Sequence, residues 1–392
     1  MFYVGIDIGK HNHEATILDD SGEEIGSVKF PNTKSGLKKL LSVVPDCCNA
    51  VFGLEATGHY WLPIYCNLKA NGLSLVVLNP IQSDSLRNLY IRRTKTDKKD
   101  SFIIADILRI GRVPETQLAS ENNLELQTLC RLRFEFIDQV VALKQRLITV
   151  LDRIFPEYES MFSDVFIKSS KALLKSAPTP EEILEFDLSE LTQLLKTASR
   201  GHFGVSKAKE LKAVAENSFG ITIALDAFRL ELRLLMEQIE FIEAHVGQID
   251  LKVSELMRSI QTDITTIPGI GDILGASILA EIGDISRFSN PKKLVAYAGL
   301  DSTVHQSGQF RGTRSKISKR GSPYLRRAIW IAAFSAKNSN DVFAQYYNKK
   351  LSEGKHKQTA IGACARKLTY LIYHILKERK PFDPNYQWSS GT

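Results

Sequence analysis

The chain has 392 residues, with 51 Lys and Arg against 44 Asp and Glu, a formal net charge of +7 and a pI near 9.0. This length allows two or three domains with proper cores, the charge favours an anionic partner, and the lack of any run of 18 apolar residues argues against a membrane span. The five cysteines, Cys47, Cys48, Cys66, Cys130 and Cys364, show no zinc spacing, and nothing at the start resembles a signal peptide, so a reducing cytosol is the expected setting.

From Phe2 to Phe30 the chain alternates Val, Ile and Tyr with polar residues, and turn signals stand at Gly9-Lys10 and Ser21-Gly22. Three short antiparallel strands are expected. The period then changes, predicting a helix from Ser35 to Val44, a strand from Ala50 to Leu54, a helix from His59 to Asn71, a buried strand from Ser74 to Leu78 and a helix from about Asp97 to Ile110. In this βββαβαβ order Asp7 lies inside the first strand and Glu55 ends the fourth. Both can reach the crevice at the strand ends of an open sheet. Asp97 and Asp100 are i, i+3 on one helical face. Carboxylates so gathered repel unless a hard cation lies between them, which Mg²⁺ or Mn²⁺ satisfies. Two such ions about 3.5–4 Å apart can clamp the attacking and leaving oxygens of a phosphodiester.

Each acid alone has an ordinary explanation. Asp7-Ile8-Gly9 resembles the first phosphate loop of an actin-like sugar kinase, but no second Asp-x-Gly-x-Thr segment follows. Glu55 could be a strand-end surface residue, and Asp97 with Asp100 could complement a helix dipole. The set of four is what carries information.

Gly111-Arg112-Val113-Pro114 reads as a linker, after which Leu129, Leu132, Phe136, Val140, Leu143, Leu147, Val150 and Ile154 recur at spacings of three and four. A second seam runs from Phe228 through Leu232, Leu235, Ile239, Ile242, Val246, Ile249, Val253 and Leu256 to Ile260. A helix of that length spans roughly 50 Å and needs a partner. The expectation is an intramolecular hairpin that also dimerises. Between the seams, residues 155–208 are mixed helical and broken by Pro156, Pro178, Pro180 and Gly201 to Gly204, with no visible chemistry.

Thr266 to Gly271, followed by the apolar run Ile273 to Ile282, resembles a helix-hairpin-helix. Gly269 and Gly271 could bring backbone N–H groups to a phosphate, or serve packing. Their spacing to Gly275 misses a dinucleotide fingerprint by one residue. From Ser302 to Asn340 there is no acid, while Arg311, Arg314, Lys316, Lys319, Arg320, Arg326, Arg327 and Lys337 all fall there. A second basic group, Arg87, Arg92, Arg93, Lys95, Lys98 and Lys99, surrounds Asp97. Both are expected to contact phosphates. A serine followed by glycine in the first of these loops offers a nucleophile among cations, which phosphoryl transfer needs, although Ser-Gly alone is a common turn.

The ordered set GIDIGK, LEATG with Glu55, TKTDKKD, IPGIG, LVAYAGL, HQSG and ISKRG-SPYLRR covers nearly the whole chain. It resembles the serine-containing DEDD transposases of bacterial insertion sequences, which are also called bridge-RNA-guided recombinases and are relatives of the pilin-gene invertases. The resemblance implies an α/β RuvC-like (ribonuclease-H-like) catalytic domain over 1–112, a helical coiled coil over 120–262 and a mostly helical transposase domain over 263–392. It assigns the metal-binding tetrad to Asp7, Glu55, Asp97 and Asp100, and the nucleophile to Ser307. Ser302, Ser315 and Ser318 lie nearby, and Gln309 stands where relatives carry a second glycine. The resemblance further implies Mg²⁺ or Mn²⁺, donor and target double-stranded DNA, a non-coding guide RNA, a homo-oligomer and a nucleoid-associated cytoplasmic setting. Two other readings are a RuvC-like nuclease using water as nucleophile, and a non-catalytic nucleic-acid scaffold.

Overall fold

The computed structural model describes residues 1–55, 59–78, 96–111, 121–302 and 316–384, with the backbone of 306–307 and 310–311. It divides into two compact units, Met1–Leu118 and Ala119–Thr392.

The first unit contains β1 (Phe2–Asp7), β2 (Asn12–Leu18), β3 (Glu24–Pro31), α1 (Lys34–Val43), β4 (Ala50–Glu55), α2 (Trp61–Ala70), β5 (Ser74–Leu78) and α3 (Asp97–Ile110). The element order matches the alternation in the sequence. The sheet runs β3-β2-β1-β4-β5, antiparallel from β1 to β3 and parallel from β1 through β4 to β5. Residues of opposite parity face opposite sides. Val4, Ile6, Ile17, Phe52 and Leu54 pack with Leu37, Leu40, Ile64 and Leu68 on the side of α1 and α2. Leu78 packs with Ile104 and Ile107 of α3 on the other side. Two glycines let α3 sit close to the sheet. A β-carbon on Gly5 would lie 2.1 Å from the Ser101 carbonyl oxygen, and one on Gly53 would lie 2.6 Å from Leu108 Cδ1. Thr16 and Ser101 share a buried 2.7 Å hydrogen bond that ties β2 to the same helix.

His13 is buried on the α1 and α2 side, edge-on to Phe30, with its Nδ1 accepting from the Gly9 N–H at 3.3 Å. Burial pulls its pKa below the usual 6.5. Because the unfolded chain binds this proton more readily, the neutral imidazole's contribution is fully present above about pH 6.5 and is lost as pH falls through that value towards the folded-state pKa. Urea titrations at pH 7.5 and pH 5.5 are expected to show a lower midpoint at the acid value, with a smaller difference in His13→Gln.

The second unit is built on a helical hairpin. Helices α4 (Glu121–Ile154) and α9 (Leu225–Ser259) pair antiparallel, as the descending partner numbers of Arg133–Asp250, Lys144–Glu243 and Arg146–Glu231 show. At 35 residues α9 is about 52 Å long, and the seam positions Leu232, Leu235, Ile239, Val246, Ile249 and Val253 are buried. One end is covered by α5 (Lys168–Ser176), α6 (Pro180–Glu185), α7 (Leu188–Ala198) and α8 (Val205–Glu216) around Phe155 and Tyr158. The segment without visible chemistry thus closes a core. The other end joins α10 (Asp272–Ile282), α11 (Pro291–Tyr297), α12 (Pro323–Ser339), α13 (Asp341–Ser352) and α14 (Lys357–Glu378). Among the described residues no helix is long and apolar enough to cross a membrane.

A buried carboxylate fastens this second core. Glu281 accepts from Arg131 Nε at 2.6 Å, from Arg131 Nη2 at 3.0 Å and from Ser322 Oγ at 2.6 Å, so it joins α4, α10 and the N-cap of α12. Arg131 is partly exposed, which reduces the cost of losing its partner. Glu281→Ala is expected to lower unfolding free energy by about 2 kcal/mol in urea titration.

Candidate active site

Asp7 and Glu55 occupy the last positions of adjacent parallel strands, each one residue beyond the paired Ile6 and Leu54. Each stands two residues after a glycine that faces α3, so both carboxylates lie on the α3 side of the sheet. Neighbouring strands are about 4.8 Å apart. Asp97 and Asp100 form the first turn of α3, N-capped by Thr96, whose side chain accepts from the Lys99 N–H. Asp100 directly precedes Ser101, which touches Gly5 and bonds Thr16. Glu55 and Asp100 are only 4% and 6% exposed, whereas Asp97 is open to solvent. The helix N-terminus carries partial positive charge and favours acids there.

A fifth acid was not anticipated. Glu14 lies directly across from Asp7 in the β1–β2 pair, so the two carboxylates share a face. The sequence placed the turn at Gly9-Lys10, which centres the hairpin one residue too early. The Asp7–Glu14 register is what would have revealed it.

The donor set is all oxygen, which suits a hard divalent cation. As the side chains stand, no three acidic, histidine or cysteine residues among the described ones are grouped closely enough to hold a metal ion.

Ser307 lies in β6 (Gln306–Ser307), which pairs with β7 (Phe310–Arg311) in the register Gln306↔Arg311 and Ser307↔Phe310. This hairpin springs from a braced stem. Ser302 and Ile317 form a bridge, the Ser318 N–H donates to the Asp301 carbonyl at 2.8 Å, and the Lys319 N–H donates to Gly299 at 3.1 Å. Ser318 Oγ donates to the Asp301 carboxylate, and Arg366 Nη1 of α14 donates to Ser302 Oγ at 3.0 Å. Ser302 and Ser318 are therefore parts of the stem. Ser315 lies outside the described residues.

The basic residues divide. Lys319 and Arg320 are exposed beside the stem, and Lys319 holds a left-handed φ of 53°. Lys316 is exposed as well. Arg327 is used internally, paired to Asp138 through two 2.7 Å bonds and stacked over Phe134. Arg326 is half-buried and donates to the Ala298 carbonyl at 3.4 Å. Lys98 pairs with Glu24 at 2.7 Å, and Lys99 is exposed. Gly269 serves packing, since a β-carbon there would lie 2.6 Å from the Ala336 nitrogen of α12, while Gly271 N-caps α10 in open space. Arg87, Arg92, Arg93, Lys95 and Arg314 lie outside the described residues, and only the backbone of Arg311 is described.

The chain thus combines an open α/β sheet carrying strand-end carboxylates with a helical unit that includes the Ser307 hairpin. Comparison with known families agrees. A transposase family model for IS110-type DEDD proteins matches residues 4–156, and a model of the IS116/IS110/IS902 transposase family matches residues 261–348. In both segments the chain is similar to the IS110/IS116 family of DEDD transposases. It is 25% identical to an IS116 insertion-element protein of Streptomyces clavuligerus, over 97% of this chain and 96% of the relative. It is 23% identical to a putative transposase of the IS117 mini-circle of Streptomyces coelicolor, over 97% and 95%. It is 24% identical to a pilin gene-inverting protein of Moraxella bovis, over 97% of both.

Proposed function

We propose that the chain recombines DNA through a covalent phosphoserine at Ser307, guided by a non-coding RNA, with Asp7, Glu55, Asp97 and Asp100 as the metal-binding acids of a RuvC-like domain. In this reading residues 1–112 form the catalytic domain, 120–262 the arm through which copies associate, and 263–392 the domain that presents the serine. The observation that supports it is the placement of the four acids, two at parallel strand ends on the α3 side of the sheet and two in the first turn of α3 itself.

Mg²⁺ or Mn²⁺ bound by these oxygens would supply positive charge at the phosphodiester. The chain's own groups do the rest. Ser307 Oγ attacks phosphorus, its proton passes to a carboxylate, the Oγ–P bond forms and the P–O bond to the leaving deoxyribose breaks, that oxygen taking up a proton. The phosphoserine ester keeps the bond energy, so a second strand's hydroxyl can reverse the step and join. The acids of one copy act with the serine of another. Lys316, Lys319 and Arg320, with Arg311 and Arg314, hold backbone phosphates and neutralise developing charge without reading bases. Sequence choice is left to the RNA. The stem roles of Ser302 and Ser318 support Ser307 as the nucleophile.

The test is a denaturing gel of the protein with its flanking RNA, Mg²⁺ and end-labelled donor and target DNA. A DNA-linked protein band, lost on proteinase treatment, is the expected result. Cut DNA with free ends and no such band would establish a nuclease that uses water, and uncut DNA retained by the protein would establish a scaffold.

A further inference from the structure

The positive charge is concentrated. Residues 302–377 hold fifteen Lys and Arg against Asp341 and Glu353, so the remaining chain has thirty-six against forty-two and is net acidic. Only part of this basic segment belongs to the serine hairpin and its stem. All of the rest but Lys355 lies on α12, α13 and α14, interleaved with aromatic rings that the reading above does not use.

Phe334 on α12 is 54% exposed. The Lys337 ammonium stands 4.6 Å from its ring centre and 4.9 Å from that of Tyr347 on α13, so one cation serves two rings. The adjacent Tyr346 ring carries Lys367 of α14 at 4.4 Å and Lys350 at 5.5 Å, the latter also paired with Glu353. The surface is tied to the serine hairpin through Arg366, one residue before Lys367, which donates to Ser302 in the stem.

We infer that Phe334, Tyr347 and Tyr346, with Lys337 and Lys367, form a stacking platform for unpaired nucleic acid. Aromatic rings stack on bases of any identity, with Phe334 the exposed ring and Tyr346 and Tyr347 half-buried beside it, and the cations lying over these rings carry the charge that meets the phosphates between bases. A duplex offers phosphates but hides its base faces. An acidic protein would be drawn by the charge and would have no use for a phenylalanine left open beside a lysine. The inference deepens the recombinase reading and rests on it, because cutting and exchanging strands under an RNA guide creates unpaired segments beside the serine. Unpaired DNA and unpaired RNA share this chemistry, and the test separates them.

Fluorescence anisotropy of the full chain with labelled oligo-dT, oligo-rU and a DNA duplex of equal length reads the platform directly. Phe334→Ala is expected to weaken single-strand binding about five-fold or more, the lower end of what one stacked base contributes, with duplex binding unchanged. Phe334→Trp is expected to retain or tighten it, and Lys337→Gln to lessen its salt dependence. A loss confined to oligo-dT identifies the DNA strand as the occupant, and one confined to oligo-rU identifies the RNA. Unchanged single-strand affinity in Phe334→Ala, or an equal loss on duplex, overturns the inference. If the wild type forms no DNA-linked band but Phe334→Ala still loses single-strand affinity, the recombinase reading fails and the platform stands.

Discussion

Ser307→Ala is expected to eliminate the DNA-linked protein band and all strand joining, while RNA and DNA binding persist. Asp7→Asn, Glu55→Gln, Asp97→Asn and Asp100→Asn are each expected to cut the rate on the order of a thousand-fold or more, the scale seen when one charge-stabilising element of a transfer site is removed. Asp97 gives the cleanest separation of chemistry from stability. It is solvent-exposed in the first turn of α3, so its charge contributes about 0.3–1 kcal/mol to the helix. A thousand-fold loss of rate corresponds to about 4 kcal/mol of transition-state stabilisation. Asp97→Asn that loses activity with a nearly unchanged urea midpoint is therefore acting at the chemistry. A variant that keeps wild-type activity would return Asp97 to the role of a helix-dipole partner. Ser307→Ala that still cuts DNA and leaves free ends would move the nucleophile from the protein to water.

What the sequence made legible follows from periodicity. Alternation in β1 and β4 placed Asp7 and Glu55 correctly, because a two-residue period fixes which side chains share a face once one of them is known. The seam from Phe228 to Ile260 likewise foretold a long helix, and its pairing with α4 is the intramolecular half of what was expected. Register across a turn is a different matter. A shift of one residue between Gly9 and Asn12 decides that Glu14, and not Asn12, faces Asp7. Long-range pairing is harder still. Arg327 looked like one more cation of a basic loop, yet its partner Asp138 is 189 residues away in α4. Gly269 also had two readings, phosphate approach or packing, and the close passage of α12 that supports packing is not visible in the sequence.

The geometry of α3 against the sheet leads to the other large effect. Gly5→Ala is expected to lower unfolding free energy by about 3 kcal/mol and to abolish strand exchange together with it. The added β-carbon would sit 2.1 Å from the Ser101 carbonyl oxygen and 2.3 Å from the Ala105 nitrogen, both backbone atoms of α3 that no side-chain rotation can remove. The helix must lift from β1, breaking the buried Thr16–Ser101 hydrogen bond. Asp97 and Asp100 ride on the same helix, and a displacement near 1 Å costs on the order of a hundred-fold in rate. Gly26→Ala in β3 is the matched control. Its β-carbon would meet only side-chain atoms, Ile17 Cδ1 at 3.6 Å and Val43 Cγ1 at 3.9 Å, which is ordinary contact. Urea titration and the covalent-adduct gel on the two variants test the argument together. A Gly5→Ala protein as stable and as active as Gly26→Ala would mean that α3 does not hold the acids against the sheet. Loss of activity with stability retained would show that the spacing between helix and sheet matters to the reaction beyond its part in folding.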